Sequence, residues 1–403
     1  EHGLNMFYSL HTLKKIPKGV WVLGCVSMLM DISSEMIHSL LPVFMVGSLG
    51  MSVALVGLLE GLAESLALII KVFSGVISDA VGRRKGLALL GYSLGALSKP
   101  LFAIAPTMGW IVAGRLIDRV GKGIRGAPRD ALVADITLPE VRGAAFGLRQ
   151  SLDTVGAFTG PLIAVGLMLL WQNDFRAVFW VAVLPAVLAV IVLACGVREP
   201  KNSIALDRRM NPISIVNLKR LGLNYWAVVM FGAVFTLARF SEAFLVLRAQ
   251  QLGVALAWVP LVMVAMNAVY ALSAYPFGYL SDKVSHRALL AGGLLVLIAA
   301  DFCLANAVDW KVLMCGVMLW GFHMGMTQGL LARMVVDASP ADLRGTAFGF
   351  FNLMTGIAML IASVLAGYVW DGLGAAYTFY VGAGISALAL VGLSALNFQA
   401  KNL

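Results

Sequence analysis

Runs of about 20 apolar residues recur along nearly the whole chain with only short polar breaks, and that is the length a helix needs to cross a bilayer's hydrocarbon core. No other feature narrows the fold as much. A 403-residue chain that is 60% hydrophobic and 13% charged, with a mean hydropathy of +0.88, lies outside the range of soluble globular domains. The composition implies a polytopic membrane protein and leaves no stretch long enough for a separate soluble domain. The first run follows Lys14, Lys15 and Lys18, but it is too long for a signal-peptide core and contains Asp31 and Glu35. It is expected to be retained as the first helix.

Charge sets the expected topology. Clusters at Lys14 to Lys18, Arg83 to Lys85, Arg142, Arg198 to Arg220, Lys283 with Arg287, and Arg344 fall in every second connection. The other connections hold little beyond Arg176, Arg248 and Lys311. By the excess of Lys and Arg in cytoplasmic loops, both termini are expected in the cytoplasm. The net charge of +9 is therefore read as topology and not as a nucleic-acid footprint, although basic loops can attract anionic lipid headgroups. Cys25, Cys195, Cys303 and Cys315 have no paired spacing, so neither a metal nor a disulfide is expected.

The chain is one half written twice. "GVISDAVGRRKG" (75 to 86) returns as "GYLSDKVSHRAL" (278 to 289), and "VRGAAFG" (141 to 147) returns as "LRGTAFG" (343 to 349), at offsets of 203 and 202 residues. Each half fits six spans. These are placed near 19–48, 52–78, 86–106, 108–137, 143–170 and 178–196, then 224–250, 257–281, 288–306, 311–337, 344–370 and 375–397. The expected organisation is an all-α protein of twelve transmembrane helices in two pseudo-symmetric six-helix bundles. The first bundle takes residues 1–197, a cytoplasmic linker 198–223 and the second bundle 224–403.

The fourth expected span is unusual. "GRLIDRVGKGIRGAPRDA" (114 to 131) carries seven charges, yet its repeat partner is the apolar "GVMLWGFHMGMTQGLLAR" (316 to 333). At 100° per residue, Arg115, Asp118, Lys122, Arg125 and Arg129 fall within about an 80° arc, with Arg119 beside it. A charge at the bilayer centre costs on the order of 3 kcal/mol, so this stripe faces protein or a water-filled cavity. Asp31, Glu35 and His38 form a similar face in span one, Glu60 and Glu64 one in span two, and Arg149 and Asp153 one in span five. In the second half the polar load is lighter, with Arg239, Glu242, Asn267, His323, Gln328, Arg333 and Asn352. Spans three, six, nine and twelve carry only Lys99 and Asp301, which are expected to reach toward a membrane surface, so every third span is read as peripheral.

At this point the sequence resembles the major facilitator superfamily over essentially its whole length: two six-span halves, peripheral third spans and a long middle connection. The loop signature GxxxDxxGRR is matched at Gly75, Asp79, Gly82, Arg83 and Arg84, and in part by Gly278, Asp282 and Arg287. The resemblance implies a conformational latch, in which Asp79 sits against a helix N-terminus or an Arg and the Arg pair anchors at the headgroups. Arg115 matches the family's span-four Arg, although Asp118 and Arg119 replace the Gln and Gly that follow it there. Gly156, Gly160 and Pro161 match part of an antiporter-associated GxxxGP pattern, which tilts the expectation toward export; close helix packing explains small residues there equally well.

The resemblance implies an alternating-access carrier in the cytoplasmic (inner) membrane of a bacterium, expected as a monomer, with H⁺ as coupling ion and no other cofactor. Such a carrier needs a group that changes charge inside the cavity, and buried carboxylates poised by neighbouring Arg suit. The candidates are Asp31 and Glu35, then Glu64 and Glu60. The substrate contacts expected are Arg119, Lys122 and Arg125, with Arg115, His38, Arg239, His323 and Gln328. Seven cations face seven anions in the first-half spans, so an internal salt-bridge network and an anion site both remain open. The favoured cargo is a small organic anion, such as a polycarboxylate metabolite or a carboxylate siderophore. A broad-specificity drug/proton antiporter is the alternative, suggested by the span-five glycines and by Met and aromatic residues such as Met266, Tyr270 and Met324. An enzyme is not expected, because no HExxH, GxSxG or complete phosphate-loop motif is present.

Overall fold

The computed structural model describes residues 15–81, 83–198, 218–281, 283–340 and 343–395, without the side chains of Asp79, Ala80, Val81, Tyr275, Tyr279, Gln328, Ser394 and Ala395. Most of the expected central linker lies outside the described residues. Among the described residues there is no strand, as expected where lipid offers the backbone no hydrogen-bond partner. The helices run in chain order as α1 (Lys18–His38), α2 (Leu41–Gly47), α3 (Val53–Val81), α4 (Arg84–Ile104), α5 (Met108–Ile136), α6 (Arg142–Leu170) and α7 (Phe175–Gly196). They continue as α8 (Leu223–Leu237), α9 (Ala243–Gln251), α10 (Leu261–Leu280), α11 (His286–Ala305), α12 (Trp310–Asp337), α13 (Arg344–Leu373) and α14 (Ala375–Ala395). Short polar caps start several of them: Asp174 accepts from the N–H groups of Arg176 and Ala177, and Asp309 from those of Lys311 and Val312.

Nine helical segments among the described residues are long and apolar enough to cross a membrane. The charged helix α5 is not one of them, although it is a continuous 29-residue helix where the fourth span was expected. Two expected spans are broken. Span one divides into α1 and α2 at Ser39 and Leu40, ahead of Pro42, which opens the first turn of α2. Span seven divides into α8 and α9 around residues 238–242, where the Ser241 N–H leaves the helical ladder and donates to Ser363 Oγ at 3.2 Å.

By packing, the chain forms two compact units. The first holds residues up to Ile37, 70–163 and 174–209; the second holds 38–69, 164–173 and 210–403. The first unit is built around Val20, Leu23, Met30, Tyr92, Leu132, Ala186 and Leu193. Its helices meet backbone to backbone where glycine removes the side chain. A Cβ on Gly121 would lie 2.6 Å from the carbonyl oxygen of Gly91, which is how closely α4 and α5 cross. α6 approaches α1 in the same way, since a Cβ on Gly156 would lie 2.6 Å from Met28 O, and one on Gly160 2.7 Å from Ile32 O.

The second unit has its own core at Tyr225, Val228, Phe231, Leu290, Leu294, Val335 and Phe351. It repeats the α4–α5 crossing at an offset of 202 residues. Gly293 on α11 faces His323 on α12, whose Nδ1 lies 2.7 Å from Gly293 O. The two residues expected to reach a membrane surface do the opposite, for Lys99 and Asp301 are both completely buried. They occupy equivalent positions in the two halves, and in both the helix-packing surface encloses them.

Candidate functional site

The charged stripe of α5 divides into three parts. At one end Arg115, Asp118 and Arg119 are buried. Lys99 Nζ of α4 donates to Asp118 Oδ1 at 2.7 Å and to Ser34 Oγ of α1 at 3.0 Å, while Arg119 Nε stands 3.8 Å from Asp118 Oδ2. A cation with almost no access to water is stable only beside such a partner. This end is a helix-to-helix clamp.

The other end is also internally paired. Arg129 reaches Asp130 at 3.1 Å, Ser27 Oγ at 3.1 Å and Asp153 of α6 at 4.0 Å. Arg149 of α6 pairs with Asp153, one turn on, and its Nε lies 3.6 Å from Asp130. Ser27 in turn hydrogen-bonds the Tyr92 hydroxyl at 3.0 Å. Two Arg and two Asp on two helices therefore cancel locally.

Between these ends the charges are not cancelled. Lys122 is exposed and forms no hydrogen bond or ion pair among the described residues. Arg125 is buried, its guanidinium 4.9 Å from the centroid of the Tyr92 ring, and its Nη1 has no hydrogen-bond partner. Gly95 makes room for it, because a Cβ there would lie 3.1 Å from Nη1. Lys71 of α3 is exposed, with its Cε 3.5 Å from where a Cβ on Gly126 would stand. Asp31 of α1 is close enough to interact electrostatically with Arg125, Lys122, Asp153 and Glu35. The centre of α5 thus offers two or three cations beside an acid whose neighbours carry both signs.

The four expected proton-coupling acids fall into two groups. Asp31 and Glu35 belong to the first unit, and their Cβ atoms would lie 2.9 and 3.0 Å from Cβ atoms placed on Gly156 and Gly160. Glu60, Glu64 and His38 belong to the second unit, where Glu60 is buried and the other two half-buried. Pro161 follows Gly160 inside the unbroken helix α6. The glycine pattern thus has a packing role on the face of α1 that carries the acids.

In the second unit Arg239 and Glu242 sit in the break between α8 and α9, and both interact electrostatically with Tyr270 of α10. His323 is fully buried, stacks on Phe235 at 5.5 Å and uses Nδ1 against Gly293 O, leaving Nε2 without a hydrogen-bond partner. The Gln328 side chain lies outside the described residues. Of the latch residues, so do the Asp79 side chain, Gly82 and Asp282. Gly75 brings α3 to within 3.4 Å of Ala127 Cβ on α5, measured from an added Cβ. Arg83 and Arg287 are exposed, while Arg84 is held by Asp135 of α5 at 2.9 Å. Sequence reasoning counted Lys71 but did not select it, and it missed Tyr92. An aromatic residue on a neighbouring helix carries no periodic signal that points to a particular Arg.

Membrane-length helices in a twofold repeat, with cations and acids enclosed mid-helix, define a polytopic membrane protein built to handle polar cargo. The sequence model of the Major Facilitator Superfamily matches residues 23–269 and 240–401, and the chain belongs to that family of transporters. It is 32% identical over 364 residues to an uncharacterized MFS-type transporter of Methanocaldococcus jannaschii, covering 89% of each chain. It is 26% identical over 347 residues to the multidrug resistance protein MdtH of Yersinia pestis, covering 83% of this chain and 82% of that one. Its fold is similar to a bacterial homologue of the human lysosomal transporter Spinster, with a TM-score of 0.78, 15% identity and coverage of 93% and 95%.

Proposed function

We propose that the chain is a proton-coupled, alternating-access carrier of a small organic anion, crossing the bacterial inner membrane twelve times as a monomer with both termini in the cytoplasm. The observation that carries the reading is the centre of α5. Every charge flanking Lys122 and Arg125 at the Arg129 end is consumed by a neighbouring helix, and at the other end Asp118 is taken by Lys99. Lys122 stays exposed and unpaired in the middle of a 29-residue helix. Such a charge is tolerated against water or a ligand, and a carboxylate is the chemical complement of this pair.

Asp31 supplies the coupling. When ionised it attracts Lys122 and Arg125 and competes with an anion for them; when protonated it leaves them to the cargo. Proton and anion then bind better together than separately, which is the sign of cotransport. The export tilt of the span-five glycines loses force, because α1 packs directly on Gly156 and Gly160.

The test is uptake of polycarboxylates and carboxylate siderophores into proteoliposomes with an imposed pH gradient. Lys122→Ala and Arg125→Ala each remove one charge-assisted contact, about 1.5–3 kcal/mol, so KM should rise about ten- to a hundredfold. Asp31→Asn should abolish dependence on the gradient while exchange continues. Normal KM values in both cation variants would end the anion reading. The likeness to MdtH favours a second reading, export of lipophilic drugs. Drug efflux that survives loss of Lys122 and Arg125, with no anion flux, would establish it.

A further inference from the structure

The first half of α3 and the second half of α13 lie in the same compact unit, and their packing ends in a charged contact. Asp371, two residues before the end of α13, accepts from the N–H of Val53 with Oδ1 at 3.2 Å and from the N–H of Ala54 with Oδ2 at 2.8 Å. Ser52 Oγ accepts from the Leu55 N–H at 3.2 Å. Three of the four orphan N–H groups at the start of α3 are satisfied, two of them by a carboxylate from another helix placed at the positive end of the α3 dipole.

Behind this cap the two helices touch without side chains between them. A Cβ on Gly367 would lie 2.7 Å from Ala54 Cα, one on Gly61 3.0 Å from Leu360 Cα, and one on Gly57 would collide with Ser363 O. A seam this close has no room to slide. It is either shut, with the carboxylate seated, or open, with the cap lost. The cap is also absent from the repeated plan, since the residue 202 positions before Asp371 is Leu169. The sequence signature places its own acid, Asp79, near the far end of the same helix α3, about 39 Å from Val53 at 1.5 Å per residue.

We propose that Asp371 is a gating residue: it latches the start of α3 to the end of α13 in one limb of the transport cycle and releases it in the other, as the counterpart of Asp79 at the opposite end. The proposal rests on the carrier reading but not on the anion as cargo. It assigns each end of α3 its own acid, with only one engaged at a time.

The test needs no substrate. In a chain with Cys25, Cys195, Cys303 and Cys315 replaced by serine, spin labels at Ser48→Cys and Leu373→Cys, both exposed positions beside the seam, report its opening by pulsed electron resonance in nanodiscs. A short distance should dominate. Asp371→Ala should shift the short-to-long ratio at least tenfold toward long, with Asp371→Asn intermediate because its amide oxygen can accept only part of the cap. Gly367→Leu, which wedges the seam, provides the open reference. If both Asp371 variants keep the ratio within twofold of the parent while Gly367→Leu opens it, Asp371 is a static helix cap and the proposal fails, even if both variants melt earlier than the parent. If Asp371→Ala does not fold, the Asn variant decides alone. One unchanging distance in all four proteins would remove the carrier reading along with the latch, whereas a failed anion assay would leave this result standing.

Discussion

Removing one partner of the Lys99–Asp118 pair should be among the most destabilising single changes in the first unit, and removing both should nearly undo the damage. Lys99 is fully buried and its ammonium has two partners, Asp118 Oδ1 at 2.7 Å and Ser34 Oγ at 3.0 Å. Asp118→Leu leaves that ammonium with a single hydroxyl. Breaking a buried pair costs about 3–5 kcal/mol, because the surviving ion has lost water and gained nothing in return. At about 1.36 kcal/mol per tenfold, the unfolding constant rises more than a hundredfold. Lys99→Met is expected to cost less, since Arg119 Nε remains 3.8 Å from the Asp118 carboxylate. The double variant Lys99→Met with Asp118→Leu buries no unmatched charge at that junction, so the coupling energy should be about 3 kcal/mol or more in favour of the pair. Reversible unfolding in mixed micelles titrated with dodecyl sulfate, followed by tryptophan fluorescence, measures all four proteins. Additive losses would refute the clamp. The double variant should also keep its transport KM, because this end of the stripe is structural and not a cargo contact.

Gly160→Leu should prevent assembly of α6 on α1, since even a Cβ there would stand 2.7 Å from Ile32 O; yield of monodisperse protein is the readout, with Gly147→Ala, at an open position, as the control. Asp301→Leu should leave stability unchanged or raised, because neither carboxyl oxygen has a hydrogen-bond partner among the described residues. A loss beyond about 2 kcal/mol in the same unfolding assay would point to a partner outside them. Arg84→Ala should loosen the α4–α5 junction by about 1 kcal/mol or less, as its pair with Asp135 is partly exposed. A larger loss in the micelle titration would assign it a further role.

Much of the architecture was legible because bilayer length and helical period leave their mark in one dimension. α5 is the clearest case. Its charges look prohibitive for a span, but the repeat partner at 316–333 and the one-sided arc marked it as a helix with an enclosed face, and it is continuous from Met108 to Ile136. The breaks at Ser39–Leu40 and at 238–242 were not legible, since both spans read as unbroken apolar runs. At the second break the backbone departs where a hydroxyl from α13 supplies an alternative acceptor. Lys99 and Asp301 were misread for a related reason. A single charge on an apolar helix reads as one seeking the membrane surface unless the helix packed against it is known.

The sequence by itself determined the helical membrane architecture, the two-fold repeat, membership of a transporter family and the face of α5 on which the cations stand. Each follows from periodicity or from a local string of residues. Only the tertiary structure decided which of those cations are spent: Lys99 on Asp118, Arg129 and Arg149 on Asp130 and Asp153, with Lys122 left exposed and Arg125 against Tyr92. The reason is that ionic interaction depends on separations of a few ångströms between neighbouring helices. A helical period fixes the angle at which a side chain leaves its own axis, but not the lateral position or axial offset of the helix it meets.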